Sequence, residues 1–441
     1  MLFRSLGYNA LSANYTGDAN VAVGSQALAA NYTGHYNTAV GQNSLNDSTA
    51  ANHNTAVGYA AMAATTANHN TAVGTYALTA NTTSAENVAV GYQSLYTQTD
   101  GTRSTAVGAY ALKVSNANDN TAVGCTALDA NNSGTNNTAV GSGALSANTS
   151  GAHNTAVGMS AGINQTGADA DYNTFVGYKA GAGVTDGGNN IAIGNQAMMV
   201  SDGSVDQSGD HNTIIGGRSW NNVNNGGSLT SGYNNTFIGC ANGVWSVGVT
   251  TGFNLVLLGS HCTADDSSAS NQSTIGYNVA NQIGDNSVTF GNTGSWVGLT
   301  YGSTTVTSSS DQRLKENISS STAGLSFVND LRPVNFTWKK HKDLPTTFQS
   351  YVAEGEEFAE DHYNNKSTTQ LGFIAQEVKA VIYNHSEIKD GFDMWNVQSN
   401  HPAGEQQIGE AALIPVLVKA IQELSAKNDA LEARIEVLEN A

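Results

Sequence analysis

The chain has little proline, little charge and little cysteine. Only 4 of its 441 residues are Pro, 3 are Cys and 12% are charged, against about 25% charged residues in an ordinary globular domain. The cysteines are far apart and form no CxxC pair, which argues against a disulfide framework and a zinc site. Lys and Arg form no run and the net charge is −18, so we expect no nucleic-acid-binding face.

Long apolar segments are also missing. No stretch approaches the roughly 20 apolar residues of a membrane helix. The amino-terminal residues MLFRSLGYNALSAN contain no apolar segment long enough for a signal peptide. We therefore expect no membrane insertion.

The charge is concentrated toward the carboxy terminus. Residues 1–309 hold 5 Lys or Arg and 15 Asp or Glu, whereas residues 310–441 hold 12 and 20. All four prolines lie beyond residue 330. Two physically different segments therefore share the chain, and they join near residue 305.

Glycine is abundant, with 48 residues, and much of it belongs to an internal repeat. Most repeat units are 16 or 17 residues long and carry Leu or Met four residues after a glycine. A unit of this length has room for two short strands and two turns, and it shows no 3.6-residue period. It predicts one coil of a parallel β-solenoid, with coils about 4.8 Å apart. The string Asn-Thr-Ala-Val-Gly stands at 37–41, 54–58, 70–74, 120–124, 137–141 and 154–158.

The repeat strand is apolar on both faces. Its third residue points opposite to the second and fourth, yet the third is mostly Ala and the fourth is Val or Ile. A strand with two apolar faces should be covered on both. Because so thin a coil has little interior, we expect the face with the small Ala to pack against other copies of the chain. The alternative is a monomeric solenoid whose own turns cover that face.

The Asn that begins each repeat should form a ladder from coil to coil, which stabilises turns more readily than it binds a ligand. His53 and His69 stand just before this Asn in adjacent coils. They could share a metal, but no third ligand has a consistent spacing, which favours exposed turn histidines. We expect neither a metal nor a cofactor.

This repeat resembles the heads of trimeric autotransporter adhesins, in which a short Asn-x-x-Ala-Ile-Gly repeat winds as a left-handed β-roll in a three-chain bundle. Bacteriophage fibre shafts carry similar repeats. The resemblance covers roughly residues 5–295. It implies a mainly β protein with a trimeric parallel β-solenoid (β-roll) shaft of 16–17-residue coils.

Four ordered segments follow the repeat, and together they resemble the intramolecular chaperone domain of phage tailspikes and tail fibres, a self-cleaving family exemplified by endosialidase tailspikes. The resemblance spans about residues 308–440. It implies a domain that drives trimer assembly and then cuts itself off. The segments are Asp311-Gln-Arg-Leu-Lys-Glu-Asn-Ile318, Leu331-Arg-Pro-Val-Asn-Phe-Thr-Trp-Lys339, Leu371-Gly-Phe-Ile-Ala-Gln-Glu-Val378 and Leu413-Ile-Pro-Val-Leu-Val-Lys-Ala-Ile-Gln-Glu-Leu424.

The resemblance implies a cut between Ser309 and Ser310, with Ser310 as nucleophile and Lys315 as base. A serine hydroxyl needs a base to accept its proton, and a desolvated lysine can be that base. Without the resemblance, a helix cap and a solvated charge are the simpler interpretation, because residues five apart do not share a helix face. The implied supporting residues are Asp311, Arg313 and Asn317. The implied enzyme is a single-turnover serine endopeptidase, with no activity on an external substrate.

The predicted division follows. A solenoid shaft occupies 1–300 and a linker 301–309. A small α+β chaperone and autoprotease occupies 310–410, and a coiled-coil helix 411–441.

The helix has Ile or Asn at heptad a positions and Leu at d positions (Ile414, Ile421, Asn428, Ile435; Leu417, Leu424, Leu431, Leu438). Ile at a, Leu at d and one buried Asn favour a dimer. The shaft and the chaperone resemblance favour a homotrimer, which we predict.

The long coils between Gly194 and Gly259 hold Trp220, Tyr233 and Trp245. These aromatics could contact a receptor on a rigid scaffold, or they could plug the widened coils.

The sequence predicts a phage tail fibre or appendage protein that adheres to a bacterial surface. Its predicted partners are a host surface glycan or protein receptor and other virion tail proteins, and its predicted location is the virion, after assembly in the host cytoplasm. The alternatives are a tailspike depolymerase acting on a surface polysaccharide and a cellular trimeric adhesin.

Overall fold

The chain separates into two compact units, Met1–Ser310 and Asp311–Ala441. The computed structural model describes residues 4–199, 208–219, 231–243, 251–293, 295–303, 306–308, 312, 315–348, 350–363, 367–388, 392, 394–397 and 406–440. Among these residues, no helix combines the length and the apolar character that a membrane span needs. The mainly β architecture is confirmed.

The first unit is a parallel β-solenoid in which each strand from β1 to β17 pairs with the next. Repeats align residue on residue, so Thr38, Ala39 and Val40 lie opposite Thr55, Ala56 and Val57. The strands are β1 (Arg4–Leu6), β2 (Val21–Val23), β3 (Thr38–Val40), β4 (Thr55–Val57), β5 (Thr71–Val73), β6 (Val88–Val90), β7 (Thr105–Val107), β8 (Thr121–Val123), β9 (Thr138–Val140), β10 (Thr155–Val157), β11 (Thr174–Val176), β12 (Ile191–Ile193), β13 (Thr213–Ile215), β14 (Thr236–Ile238), β15 (Val256–Ser260), β16 (Gln272–Tyr277) and β17 (Ser287–Asn292).

The glycine that ends each repeat strand is required for two reasons. Gly91 has φ +134°, a conformation that side chains rarely adopt. A Cβ there would also lie 2.5 Å from the carbonyl oxygen of Gly108 in the next coil. The recurring glycine therefore sets both the turn and the distance between coils.

The interior of each coil is filled by small and medium apolar side chains. Ala39 in the strand and Leu45 beyond the glycine are fully buried, as are their counterparts along the shaft. The expectation that the Ala face packs against other copies is therefore wrong, because the coil is so narrow that Ala is the residue that fits inside. The outward side of the strand carries Val or Ile instead, and Val140 and Ile193 are each 37% exposed.

Two coils replace the interior Ala by Phe, and the structure compensates in volume. Phe175 and Phe237 are fully buried. The residue that is Leu in other coils is Gly181 beside Phe175, where a Cβ would lie 2.3 Å from the ring. Gly243 stands in the same relation to Phe237. The Phe175 ring also fills the space over Gly162 in the preceding coil, where a Cβ would lie 2.8 Å from it. Interior volume is thus conserved across neighbouring coils, as close packing demands.

An antiparallel hairpin follows the last parallel strand. β17 pairs with β18 (Ser295–Thr300), which pairs with β19 (Thr307–Ser308). Trp296 packs against the solenoid core. The hairpin therefore covers an edge that would otherwise expose unpaired backbone groups.

The second unit is a small α+β domain. Its helices are α1 (Leu325–Asp330), α2 (Ala375–Asn384) and α3 (Leu413–Glu439), and its strand pairs are β20 (Val334–Phe336) with β21 (Gln370–Gly372) and β22 (Trp395–Val397) with β23 (Gln406–Ile408). Phe327, Ile382 and Val416 belong to its buried core. The backbone N–H of Leu325 donates to Oε2 of Glu423 at 2.9 Å, which ties the start of α1 to α3.

The segment between β20 and β21 folds back on itself. The N–H of Tyr363 donates to the Lys339 carbonyl at 2.8 Å. The Nζ of Lys340 lies 2.6 Å from Oε2 of Glu360, and Lys342 contacts the same carboxylate. These two ammonium groups lower the pKa of Glu360 to about 2.

Candidate functional site

The implied cleavage site stands where the solenoid unit ends. Val297 and Gly298 of β18 pair with Ser308 and Thr307 of β19, and the implied scissile bond begins at the next residue. The first unit closes at Ser310. A cut there would leave the whole hairpin on the solenoid. Four of the residues predicted for this site, Ser309, Ser310, Asp311 and Arg313, lie outside the described part of the chain.

Two residues of the predicted site are described, Lys315 and Asn317. The backbone N–H of Lys315 donates to the Gln312 carbonyl at 3.1 Å. Asn317 has φ +52°, in the left-handed region that Asn tolerates.

The segment that carries Lys315 is exposed in the single chain. Residues 315–322 all have exposed side chains. A lysine becomes a base near neutral pH where burial or nearby positive charge disfavours its ammonium form. The Lys315 side chain is not buried in the single chain.

A second cluster, which the sequence analysis missed, links α1 to the end of α2. His385 is 8% exposed. Its Nε2 lies 2.8 Å from Oδ2 of Asp330, and its Nδ1 lies 3.0 Å from Oε1 of Glu387. The ring meets Phe327 edge-on at 5.3 Å between centroids. No periodic pattern marks His385 in the sequence, because its partners lie 55 residues before it and 2 after it.

The two carboxylates favour the charged imidazolium. The hydrogen bonds with Asp330 and then Glu387 raise the pKa of His385 above its ordinary 6.5. A backbone hydrogen bond within Glu387, and then the bond with His385, lower the pKa of Glu387. The cluster is a charged clamp between α1 and α2.

The long helix α3 has two apolar faces. Leu413, Val416 and Ala420 are buried in the core of the second unit. The predicted heptad stripe points elsewhere, since Ile421 is 66% and Leu424 57% exposed. Further along, Nδ2 of Asn428 donates to Oε1 of Glu432 at 3.0 Å. The predicted helix is confirmed, and its stripe is open to a partner.

Of the three predicted receptor contacts, Tyr233 alone lies among the described residues. It is 43% exposed, and its ring stacks on Phe253 in the next coil at 5.1 Å between centroids. Trp220 and Trp245 lie outside the described residues.

The histidines considered for metal binding stack on each other. The rings of His53 and His69 lie 5.1 Å apart and 4° from parallel. Among the residues that the structure describes, no group of three or more His, Cys, Asp or Glu could hold a metal ion. The stack continues through Tyr36, which lies 4.8 Å from His53.

Comparison with known proteins places a family domain at the join. Residues 310–386 match the model of the Peptidase_S74 family, the chaperone of endosialidase. Neither a curated protein nor a solved structure gives a significant match to the chain. The matched domain implies a self-cleaving, serine-type peptidase activity. Together with the parallel β-solenoid, it fits the organisation of a tail-fibre or endosialidase-type protein.

Proposed function

We propose that this chain is a phage tail fibre or appendage protein that works as a homotrimer and attaches to the surface of a host bacterium. Its second unit aligns three copies and then releases itself by a cut between Ser309 and Ser310. The observation that carries the proposal is a coincidence of boundaries: the family match begins at Ser310, the residue at which the solenoid unit ends. The assembled rod belongs to the virion after assembly in the host cytoplasm.

The cut needs only groups of the chain and one water. The Oγ of Ser310 attacks the carbonyl carbon of Ser309 while its proton passes to Nζ of Lys315. The C–N bond breaks, the nitrogen of Ser310 takes up a proton, and an ester joins the two residues. Water then hydrolyses the ester, which leaves a carboxylate on Ser309 and restores the hydroxyl of Ser310. Asp311, Arg313 and Asn317 orient these two groups or hold the chain at the junction.

Assembly supplies the desolvation that the single chain lacks. The exposed segment around Lys315 and the exposed α3 stripe belong to the same unit. Joining three copies through the stripe buries apolar side chains and brings three such segments near one axis. Burial there favours the neutral amine of Lys315. Cleavage is thereby delayed until the copies are aligned.

Alignment is a real requirement for this rod. Most repeats present an outward Val or Ile, and this row is 36% to 42% exposed between Val107 and Ile238. Copies displaced by one coil would therefore bury similar surface, and register would be weakly specified. A domain that trimerises first fixes the register and raises the local concentration of chain ends. Its removal then leaves a rod that persists through a high barrier to unfolding.

Denaturing gels and intact-mass measurements on four forms of the chain test the proposed cut. We expect the wild type to give fragments 1–309 and 310–441, and Ser310→Ala to remain whole. Ser309→Ala is the matched control, because it keeps the nucleophile and should still be cut. Lys315→Met should remain whole while forming the same oligomer as Ser310→Ala. Cleavage of Ser310→Ala at the same bond would contradict the proposal.

A further inference from the structure

Four consecutive coils carry an alternating set of tyrosines that the repeat does not require. Tyr59 and Tyr92 stand one residue after the strand-ending glycine, whereas Tyr76 and Tyr110 stand two residues after it. The Tyr76 N–H donates to the Tyr59 carbonyl at 2.9 Å, and the Tyr110 N–H donates to the Tyr92 carbonyl at 2.8 Å. The backbone ladder therefore fixes the tyrosines in two pairs, Tyr59 with Tyr76 and Tyr92 with Tyr110.

The rings of each pair meet at right angles. The centroids of Tyr59 and Tyr76 are 5.2 Å apart with planes at 88°, and those of Tyr92 and Tyr110 are 5.3 Å apart with planes at 89°. Tyr96 joins the set edge-on to Tyr76 at 6.3 Å. In an edge-to-face pair, both faces of one ring are left uncovered by its partner. Tyr59 is 41% and Tyr92 42% exposed.

The phenols of Tyr59 and Tyr76 also interact. A hydrogen bond with Tyr59, followed by burial and by the nearby phenols of Tyr59, Tyr96 and Tyr92, raises the pKa of Tyr76 above its ordinary 10.0. The strand and turn segments 55–63, 71–80, 88–97 and 105–113 contain no Asp or Glu and a single cation, Lys113. Lys113 lies over the Tyr110 ring at 5.2 Å. The surface therefore offers flat apolar faces and neutral hydroxyl groups with almost no charge.

We propose that Tyr59, Tyr76, Tyr92, Tyr96 and Tyr110 form a binding site for a neutral oligosaccharide of the bacterial surface. The C–H face of a sugar ring packs on an exposed aromatic face, and sugar hydroxyls exchange hydrogen bonds with phenols. Four coils span about 14 Å at the spacing of parallel strands, which suits a short oligosaccharide. This site rests on the proposed adhesive function and gives it a location distinct from Trp220, Tyr233 and Trp245.

A second copy of the chain fits this surface less well. An interface between aligned solenoids uses features that recur in every coil, such as the outward Val or Ile row. The alternating tyrosines occur only in the four coils from Tyr59 to Tyr110. In the next three coils, the residue after the strand-ending glycine is Cys125, Ser142 or Met159. A local feature on a periodic rod indicates a local ligand.

The test uses the full chain, allowed to mature, with Tyr59→Ser and Tyr92→Ser combined. Tyr178→Ser is the matched control, because Tyr178 also follows a strand-ending glycine and is 37% exposed. Binding is measured on an array of neutral oligosaccharides from bacterial surface polysaccharides and on cells of a bacterial panel. We expect the double variant to bind roughly tenfold or more weakly, as for loss of aromatic hot spots, and the control to bind like the wild type.

The outcomes separate this site from the proposed function. A wild-type rod that binds no cells contradicts the adhesive function itself. Cell binding that the double variant retains in full, or that survives periodate treatment of the cells, overturns the tyrosine site and leaves adhesion intact. Light scattering is the remaining check. A double variant that fails to form the wild-type oligomer would show that the tyrosines face another copy, which also overturns the site.

Discussion

The backbone N–H of Asn70 donates to Oδ1 of Asn54 across one coil of the solenoid, at 2.9 Å. Nδ2 of Asn54 in turn donates to the Ala67 carbonyl at 2.9 Å. Both Asn residues are buried, and other coils repeat the pattern. The ladder thus satisfies turn groups that burial would otherwise leave without partners.

Ser104 interrupts this ladder, and Ser104→Asn should stabilise the shaft. The Ser104 hydroxyl donates to the Ala117 carbonyl at 3.3 Å and accepts the Asn120 N–H at 3.4 Å, whereas Asn rungs are near 2.9 Å. A longer side chain should shorten both bonds and add roughly 0.5–1.5 kcal/mol. This gain in stability is measured by thermal unfolding, monitored by the circular dichroism of the β-strands. The reverse change, Asn54→Ser, is the control and should destabilise; equal stability of all three forms would refute the prediction.

The pairing of Phe175 with Gly181 predicts a compensating double variant. Phe175→Ala alone should cost about 3–5 kcal/mol, because it leaves a cavity in the coil. Adding Gly181→Leu restores the Ala–Leu combination of other coils, where Leu45 adopts a similar positive φ of 47°. We expect the double variant to recover most of the lost stability in denaturant unfolding. Gly181→Leu alone should clash with the ring, and additive losses in the double variant would contradict the packing account.

The His385 clamp predicts a pH window for the stability of the second unit. Because the folded pKa of His385 is raised, its contribution is present below its unfolded pKa of about 6.5 and is lost as pH rises through the folded value. Glu387 has a lowered folded pKa, so its contribution is present above about pH 4.3 and is lost as pH falls through the folded value. Stability from the clamp is therefore greatest between these limits.

Thermal melts of the Ser310→Ala chain, monitored by helix ellipticity at a series of pH values from 4 to 9, measure this pH window. His385→Gln should remove the loss of stability on the alkaline side. His362→Gln is the control, because Nδ1 of His362 lies 2.7 Å from the Trp338 carbonyl oxygen rather than from a carboxylate. An unchanged alkaline slope in His385→Gln would refute the role of the clamp.

The exposed stripe of α3 predicts that assembly precedes cleavage. Ile421→Glu places a charge at a heptad a position and should leave the chain monomeric and uncut. Gln422→Glu introduces the same charge one residue later, outside the stripe, and should assemble and cleave normally. Size-exclusion chromatography and denaturing gels report both properties. Efficient cleavage of a monomeric Ile421→Glu chain would separate the peptidase from assembly.

The solenoid could be predicted from sequence because the residues that define each coil recur at a regular spacing. The glycine, the Asn ladder and the Leu or Met row each recur in nearly every coil, so spacing alone located them. The direction of Ala39 could not be read in this way, since small size suits both a narrow interior and a close external contact. Only the backbone path, which turns Leu45 inward opposite Ala39, decides between them.

The candidate site was only partly predictable from sequence, because some of its features depend on residues that are far apart in the chain. The heptad stripe of α3 follows from local spacing, and the exposure of Ile421 agrees with it. The clamp at His385 depends on Asp330, which a long segment separates from it in sequence. The dyad of Ser310 and Lys315 was implied by resemblance, and its chemistry stays a prediction.

The central claim is that the second unit is a temporary clamp that aligns three solenoids. Light scattering of the matured wild-type protein, combined with intact mass of the same sample, tests it most directly. We expect particles of three chains, each ending at Ser309, with residues 310–441 released. A particle that contains one full-length chain would contradict it.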